Sequence, residues 1–288
     1  MPELPEVETV VRDLRAHGLV QAVIRDVAVR WPRIVSGESP GSFSHALAGH
    51  TIVSLSRRAK FIVVTLDSGH RLLIHLRMTG KLRFAGSDEQ PGKHDHVVIS
   101  LRDGRRLFFN DTRKFGRLQL AGTDADPLAR LGPEPLEDAF TLAALRSQLH
   151  GKTRMIKPLL LDQTTVAGLG NIYVDEALWQ AKIHPERRAD TLTATETRRL
   201  HLAIRDVLQT AVDNCGTTLG NGEANFYSVA GHRGRNADAL KVFRRDGLPC
   251  PRCGTLLTRS VVGQRGTHFC PQCQKAISPR KAHSGSLQ

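Results

Sequence analysis

The sequence has no apolar run long enough to cross a membrane. Its longest apolar stretches, FIVVTL at 61–66 and RLLIHL at 71–76, have the length of β-strands rather than of membrane helices. No charged-then-apolar leader precedes the first predicted helix. We therefore expect a cytoplasmic protein with no membrane partner.

Acidic residues are scarce relative to basic ones. The chain of 288 residues has 41 Lys+Arg but only 28 Asp+Glu, a formal net charge of +13 at pH 7. This basic excess predicts a polyanionic partner, and nucleic acid is the default. A basic composition is also found in proteins that need it for solubility, for attraction to a membrane surface or for association with the ribosome. The sequence also lacks internal repeats and low-complexity tracts. A hydrophobic content of 40% is typical of a globular protein, and the length predicts two domains.

Strand-like segments fill the first part of the chain, and helix-like segments follow. Between 21 and 120, short runs of Val, Ile and Leu alternate with turn residues, and Asp67-Ser68-Gly69 and Asp103-Gly104 fall where hairpin turns belong. These features predict an antiparallel β-sandwich. Beyond residue 139 the apolar spacing becomes helical, and the longest helix begins with a Thr193–Glu196 capping box. The fold class expected is α+β and multidomain.

The pattern divides the chain into successive regions. We expect an N-terminal β-sandwich domain at 1–120, a Pro- and Gly-containing linker at 121–138, a helical domain at 139–240, a four-cysteine hairpin at 241–277 and a polar tail at 278–288.

Four of the five cysteines form two Cys-x2-Cys pairs separated by sixteen residues, Cys250 with Cys253 and Cys270 with Cys273. Four thiolates at this spacing predict one tetrahedral Zn²⁺, with a hairpin between the pairs. Two disulfides or a redox pair are the alternatives, which a cytoplasmic chain and the absence of a βαβ context disfavour. A closed four-cysteine site leaves no open coordination position, so the metal is expected to be structural. Cys215 is interpreted as a small, partly buried residue.

The chain opens with MPELPEVET, which has two interpretations. An initiator methionine before Pro2 is normally removed, and the exposed α-amine, with a pKa near 8, is then a potential nucleophile. The alternative is an ordinary helix start, with Pro5 in the first turn, Glu6 at the positive end of the helix dipole and apolar residues at helical spacing.

Six strings in order give the chain a resemblance to formamidopyrimidine-DNA glycosylases: MPELPEVETV at 1–10, RRAKF at 57–61, HLRMTGKLR at 75–83, NDTRKFGRL at 110–118, GLGNIYVDEAL at 168–178 and QRGTHFCPQCQK at 264–275. The resemblance implies a helix-two-turn-helix domain at 139–240, a C-terminal zinc finger, and a base-excision-repair enzyme that is both DNA glycosylase and AP lyase. Its substrates would be oxidised purines such as 8-oxoguanine and formamidopyrimidines in duplex DNA.

The resemblance also implies roles for individual residues. Pro2 would attack C1′ and form a Schiff base that leads to β,δ-elimination, Glu3 would transfer a proton at the deoxyribose ring oxygen, and Glu6 would be a supporting carboxylate. Lys60 would lie at the lesion phosphate; a solvated lysine at a strand end is the alternative. His75, Asn171 and Arg265 would contact phosphates, although a histidine inside LLIHLR is otherwise interpreted as a core residue.

Met78, Arg113 and Phe115 resemble the side chains that fill the gap left by an extruded nucleotide. Without the family, Met78 and Phe115 would be interpreted as core residues, but the glycines and basic residues around them favour exposed turns. Arg113 would donate to the acceptor edge of a cytosine.

The sequence departs from the family between 216 and 245. Arg235 and Asn236 stand where many relatives have an aromatic pair, and VFRR replaces VYGR at 242–245. The resemblance places these positions in the region that would hold the extruded base. An endonuclease VIII-like enzyme for oxidised pyrimidines and a non-catalytic zinc-ribbon DNA-binding protein are the alternatives. We expect a monomer associated with the nucleoid.

Overall fold

The structure is a computed structural model that describes residues 1–122, 126, 128–220 and 226–276. The predicted tail at 278–288 lies outside the described residues. Six α-helices are described: α1 (Leu4–Ala16), α2 (Pro40–Leu47), α3 (Leu142–Leu149), α4 (Ile156–Leu161), α5 (Asn171–Ala181) and α6 (Ala194–Asp213).

Eleven strands are described: β1 (Ile24–Val29), β2 (Val35–Ser36), β3 (Ile52–Arg58), β4 (Phe61–Leu66), β5 (Arg71–His75), β6 (Lys81–Ala85), β7 (Asp95–Leu101), β8 (Arg106–Asn110), β9 (Arg117–Ala121), β10 (Thr258–Val262) and β11 (Arg265–Phe269). Two sheets, with strand orders β1-β7-β8-β6 and β2-β9-β5-β4-β3, form the predicted sandwich. All of their pairs are antiparallel except the short β2–β9 pair.

Register in the five-stranded sheet matters for the site. Phe61, the first residue of β4, pairs with His75, the last residue of β5. The turn before β4 and the turn after β5 therefore lie next to each other, at the same end of this pair of strands. The hairpins predicted at Asp67–Gly69 and Asp103–Gly104 are both confirmed, since each joins two antiparallel strands.

Helix α1 forms for the reasons visible in its sequence. Glu3 is the N-cap and a proline stands in the first turn, where its missing N–H costs nothing. The residues at helical spacing, Val7, Val10, Val11 and Leu14, are all buried in the sandwich core. Each such side chain contributes about 1.5–3 kcal/mol on burial, so the amphipathic pattern anchors the N-terminus to the sandwich.

Several elements were not predicted from the sequence. Strands β2, β6 and β9 are short and only partly alternating, and α4 is six residues long. Helix α2 had a usable start signal, because the Ser39 side chain accepts from the backbone N–H of Ser42 and Pro40 follows it.

Contacts group the chain into two compact units. One contains residues 1–140, 162–170 and 205–240, and the other contains 141–161, 171–204 and 241–288. Parts of the region predicted as one helical domain therefore belong to each unit. The described part of the predicted linker is packed, with Leu128 and Glu134 buried. None of the described helices is long and apolar enough to span a membrane.

Candidate active site and nucleic-acid interface

The first residues of the chain are held in place by the carboxylate of Glu6. Pro2 and Glu3 are buried at the start of α1. The backbone N–H of Glu3 donates to Glu6 Oε2 at 2.8 Å, and the backbone N–H of Thr217 donates to Glu6 Oε1 at 2.7 Å. Glu6 thus joins the beginning of the chain to the loop that follows α6. The two oxygens of Glu6 thereby fix the position of the first residues of the chain.

Two glycines, Gly168 and Gly170, contact the first residues of the chain on the side away from Glu6. The backbone N–H of Leu4 donates to the carbonyl of Gly168 at 3.1 Å, and Gly168 has a φ of +82°. A methyl group at Gly170 would lie 2.7 Å from Glu3 Cγ. Glycine is therefore needed at 170 for the Glu3 side chain to occupy its place. The contact between this Gly-Leu-Gly stretch and Glu3 was not predicted from the sequence.

Lys60 lies in a turn that is held by the buried carboxylate of Glu134. Glu134 accepts from Arg57 Nη1 at 2.6 Å, from Arg58 Nη1 at 2.8 Å and from the backbone N–H of Ala59, whose φ is +52°. Burial raises the pKa of Glu134, but Arg57 and these hydrogen bonds outweigh it and keep the pKa below its usual range. Lys60 itself is buried, so the alternative interpretation as a solvated lysine is wrong. Glu134 stands in the predicted linker and was missed.

His75 is buried and uncharged. Its Nδ1 accepts the backbone N–H of Arg77 at 3.0 Å, and its ring packs edge-on against Phe61 at 4.7 Å between centroids. Burial, together with the positive charges of Arg77 and Lys60, lowers the pKa of His75 to about 3. Because Nδ1 is an acceptor, the neutral ring has its proton on Nε2. His75 can therefore donate a hydrogen bond to an anion without adding positive charge.

Met78 and Phe115 project from two turns instead of packing in the core. Their exposed fractions are 38% and 46%, as the glycines and basic residues around them predicted. The guanidinium of Arg113 lies 4.8 Å from the centre of the Phe115 ring, in cation–π contact. Exposed apolar side chains next to a stacked arginine suit insertion between bases.

The region at 216–245, where the sequence differs from the family, is held at its base by Asn236, one of the differing residues. Asn236 is buried, donates from Nδ2 to Thr217 Oγ1 at 3.0 Å and accepts from Asn214 Nδ2 at 3.2 Å. Its backbone N–H donates to the carbonyl of Gly216 at 3.0 Å. In place of an aromatic residue, Asn236 provides hydrogen bonds that close the root of the loop.

The second unit holds Asn171 and Arg265 together. Hairpin β10–β11 turns through Gly263 and Gln264, both with positive φ, and presents an exposed Arg265. Asn171 Nδ2 donates to the carbonyl of Gly266 at 2.9 Å, next to Arg265.

Buried charges support the same hairpin. Lys157 Nζ lies 2.6 Å from Asp175 Oδ1 and donates to the carbonyl of Gly266 at 3.1 Å, while Asp175 Oδ2 accepts the backbone N–H of His268 at 2.9 Å. Both members of the Lys157–Asp175 pair are fully buried. Neither was identified from the sequence, and helix α4, which contains Lys157, was itself not predicted.

The four cysteines fit one metal ion. Their Sγ atoms all lie within 4.8 Å of one another, which matches tetrahedral thiolate ligands around Zn²⁺. Cys250 Sγ accepts from Trp179 Nε1 at 3.4 Å. Gln274 is buried, accepts the backbone N–H of Cys270 at 2.8 Å and donates to the carbonyl of Ile183 at 2.9 Å. These outer contacts orient the ligands, and the sequence did not reveal them. With four thiolates there is no open position, so a zinc ion here is structural.

Three segments of the chain match models of known domains. Residues 1–118 match the formamidopyrimidine-DNA glycosylase N-terminal domain, residues 131–221 match the formamidopyrimidine-DNA glycosylase H2TH domain, and residues 247–276 match the zinc finger found in FPG and IleRS. The helix-two-turn-helix expectation and the zinc-finger expectation are both confirmed.

Comparison of the whole chain with known proteins gives the same family as the domain matches. The chain is 47% identical over 279 residues to the formamidopyrimidine-DNA glycosylase of Roseiflexus sp. (strain RS-1), covering 96% of this chain and 100% of that one. It is also 47% identical over 279 residues to that of Enterococcus faecalis (strain ATCC 700802 / V583), covering 96% of this chain and 98% of that one.

Solved structures show the same fold. A Lactococcus lactis FPG mutant in complex with a Fapy-dG containing DNA is 40% identical, with a TM-score of 0.88 over 96% of this chain and 100% of that one. The MutM (FPG) protein of Thermus thermophilus is 41% identical, with a TM-score of 0.85 over 95% of this chain and 98% of that one.

Proposed function

This chain belongs to the formamidopyrimidine-DNA glycosylase family and is a glycosylase of oxidised purines in DNA, and we propose that the N-terminal amine of Pro2 is its nucleophile. The proposal rests chiefly on how the start of the chain is held: Pro2 and Glu3 are buried, with Glu6 on one side and Gly170 on the other. A helix start that served only to begin α1 would need neither the Glu6 contact to Thr217 nor the close approach of Gly170.

The amine acts once Met1 has been removed. The nitrogen of Pro2 forms a bond to C1′, the bond between C1′ and the damaged base breaks, and the base leaves with the electron pair. Loss of the amine proton and protonation of the ring oxygen then open the sugar and leave an iminium ion. Because the proline nitrogen already has two ring bonds, this iminium has no N–H proton to lose. It stays an electron sink that acidifies the C2′ protons, and both phosphates leave by successive eliminations.

Glu3 and Glu6 have different tasks in this scheme. Glu3, adjacent to the nucleophile, transfers the proton to the ring oxygen. Glu6 already accepts from the backbone N–H groups of Glu3 and Thr217, so it positions the N-terminus and takes no part in proton transfer.

Phosphate binding in the first unit falls to Lys60 and His75. Lys60 supplies a positive charge, and His75 supplies a neutral donor, Nε2–H, from the neighbouring strand end. In the second unit, Arg265 and Asn171 serve the same purpose on hairpin β10–β11 and at the start of α5. The zinc ion, held by the four cysteines, keeps that hairpin folded.

Met78, Arg113 and Phe115 fill the gap left by the extruded nucleotide. The exposure of Met78 and Phe115 supports this assignment, and the stacking of Arg113 on Phe115 orders its guanidinium for hydrogen bonds to the orphaned cytosine. We further propose that the protein acts as a monomer at the nucleoid, since one chain supplies every group named here and its net charge of +13 favours DNA.

Borohydride trapping tests the nucleophile. A duplex containing one 8-oxoguanine opposite cytosine should give a covalent adduct that peptide mapping places on Pro2. Protein with an acetylated N-terminus is the control, because an amide nitrogen cannot attack. Undiminished trapping by the acetylated protein would falsify the assignment of Pro2. Faster excision of an oxidised pyrimidine than of 8-oxoguanine would favour the endonuclease VIII-like alternative, and binding without any adduct would favour a non-catalytic DNA-binding protein.

A further inference from the structure

Two exposed turns that hold the proposed gap-filling residues are joined by a buried hydrogen bond. The turn from Leu76 to Gly80 includes Met78, and the turn from Asp111 to Gly116 includes Phe115. The hydroxyl of Thr79 donates to Asp111 Oδ1. Both side chains are buried, Asp111 fully.

The Asp111 carboxylate also closes its own turn. Its Oδ1 accepts the backbone N–H of Arg113 at 3.2 Å, and its Oδ2 accepts that of Gly116 at 2.7 Å. Thr79 Oγ1 lies 3.3 Å from the same Arg113 N–H. The Asp111 carboxylate and the Thr79 hydroxyl therefore accept the backbone N–H groups at the two ends of the segment from Arg113 to Gly116.

Packing around Phe109 brings the two turns close. Methyl groups at Gly80 and Gly116 would lie 2.8 Å from Phe109 Cζ and 2.7 Å from its Cε1, respectively. Arg77 and Lys114, one in each turn, have φ values of +53° and +61°, a conformation that costs residues other than glycine roughly 1–3 kcal/mol and persists only where surrounding contacts impose it. The turns are thus held in an unfavourable local conformation by contacts beneath them.

We infer that the Thr79–Asp111 pair is a positioning element that holds the Met78 turn and the Arg113–Phe115 turn in one fixed arrangement, so that their side chains enter the gap left by an extruded base together. This inference rests on the proposed gap-filling role of Met78, Arg113 and Phe115. Neither Thr79 nor Asp111 touches the reacting atoms in this scheme.

Thr79→Val removes the hydroxyl at nearly constant volume, and Thr79→Ser is the matched control that keeps it. We expect Thr79→Val to lower the single-turnover excision of 8-oxoguanine by about tenfold, because small misplacements of positioning groups have effects of this size. Thr79→Ser should stay within about twofold of the parent. Borohydride trapping on a single-stranded abasic oligonucleotide, which has no base stack to enter, should be the same in both variants.

A double-mutant cycle with Phe115→Ala identifies how Thr79 acts. If the hydroxyl works by placing the inserted side chains, Thr79→Val should slow excision by less than about twofold when Phe115 is already alanine. A 2-aminopurine beside the lesion should show a slower fluorescence change on binding for Thr79→Val than for Thr79→Ser.

The possible failures are distinguishable. Equal excision by Thr79→Val and Thr79→Ser, or the same loss with and without Phe115, overturns the positioning role while the parent still excises. Loss of single-stranded trapping in Thr79→Val also overturns it, since the hydroxyl would then support the whole unit. A parent that excises no 8-oxoguanine, or Phe115→Ala with parental excision, refutes the proposed function instead.

Discussion

Glu3 occupies the space that any side chain at Gly170 would need. A methyl group at 170 would lie 2.7 Å from Glu3 Cγ and 2.5 Å from Glu3 Oε1, well inside van der Waals contact. Glu3 is the residue adjacent to the proposed nucleophile, and its side chain is buried. The position of a proposed catalytic carboxylate therefore depends on the absence of a side chain elsewhere in the unit.

Gly170→Ala should displace Glu3 and lower 8-oxoguanine excision by about tenfold or more, because proton transfer depends on the placement of the carboxylate. The comparison is Gly41→Ala in α2, where the added methyl meets nothing within 4 Å. Single-turnover excision and thermal unfolding should be measured for both variants. Parental excision by folded Gly170→Ala protein would show that Glu3 tolerates displacement.

The buried, neutral His75 should make the protein less stable in mild acid. Its pKa is about 3 when folded and 6.5 when unfolded, so below pH 6.5 the unfolded chain binds a proton that the folded chain does not. Stability attributable to His75 is complete above pH 6.5 and is lost as the pH falls towards 3. The loss between about pH 8 and about pH 5 should be about 2 kcal/mol smaller in His75→Asn, measured by urea unfolding. Equal losses in the two proteins would contradict a neutral His75.

Removal of zinc should unfold the hairpin that presents Arg265. Chelation or Cys270→Ser is expected to abolish duplex binding, measured by fluorescence anisotropy, while hydrogen exchange in the β-sandwich strands stays protected. Cys215→Ser is the control, since Cys215 is outside the four-cysteine cluster. Excision by a Co²⁺-loaded protein should match that of the Zn²⁺ form, because a closed site does no Lewis-acid chemistry. Full duplex affinity in the metal-free protein would show that zinc is not needed to fold the hairpin.

Arg265→Ala should weaken binding to damaged and undamaged duplexes by the same factor, because a phosphate contact has no base specificity. The slope of log affinity against log salt should become shallower by about 0.9. Arg265→Lys keeps the charge and should keep the slope. A loss confined to damaged DNA would show that Arg265 recognises the lesion.

Short-range patterns in the sequence were sufficient for several features. The spacing of Cys250, Cys253, Cys270 and Cys273 predicted a shared metal site, and the structure brings their sulfur atoms together. The apolar spacing after Pro5 predicted α1, and the Asp-Ser-Gly and Asp-Gly turns predicted hairpins. Each of these depends on residues that are near in sequence, where backbone geometry alone limits what can form.

The residues that hold the proposed site in place could be identified only from the tertiary structure. Glu134 was interpreted as part of a linker, yet it closes the turn that contains Lys60, and Asp111 joins two turns that each connect one sheet to the other. Burial is the main reason that His75 stays neutral, and it too depends on tertiary packing, which places Phe61 of another strand against the His75 ring. A carboxylate or histidine has the same local pattern whether it is solvated or buried, because its partners are distant in sequence and meet it only when the sheets pack.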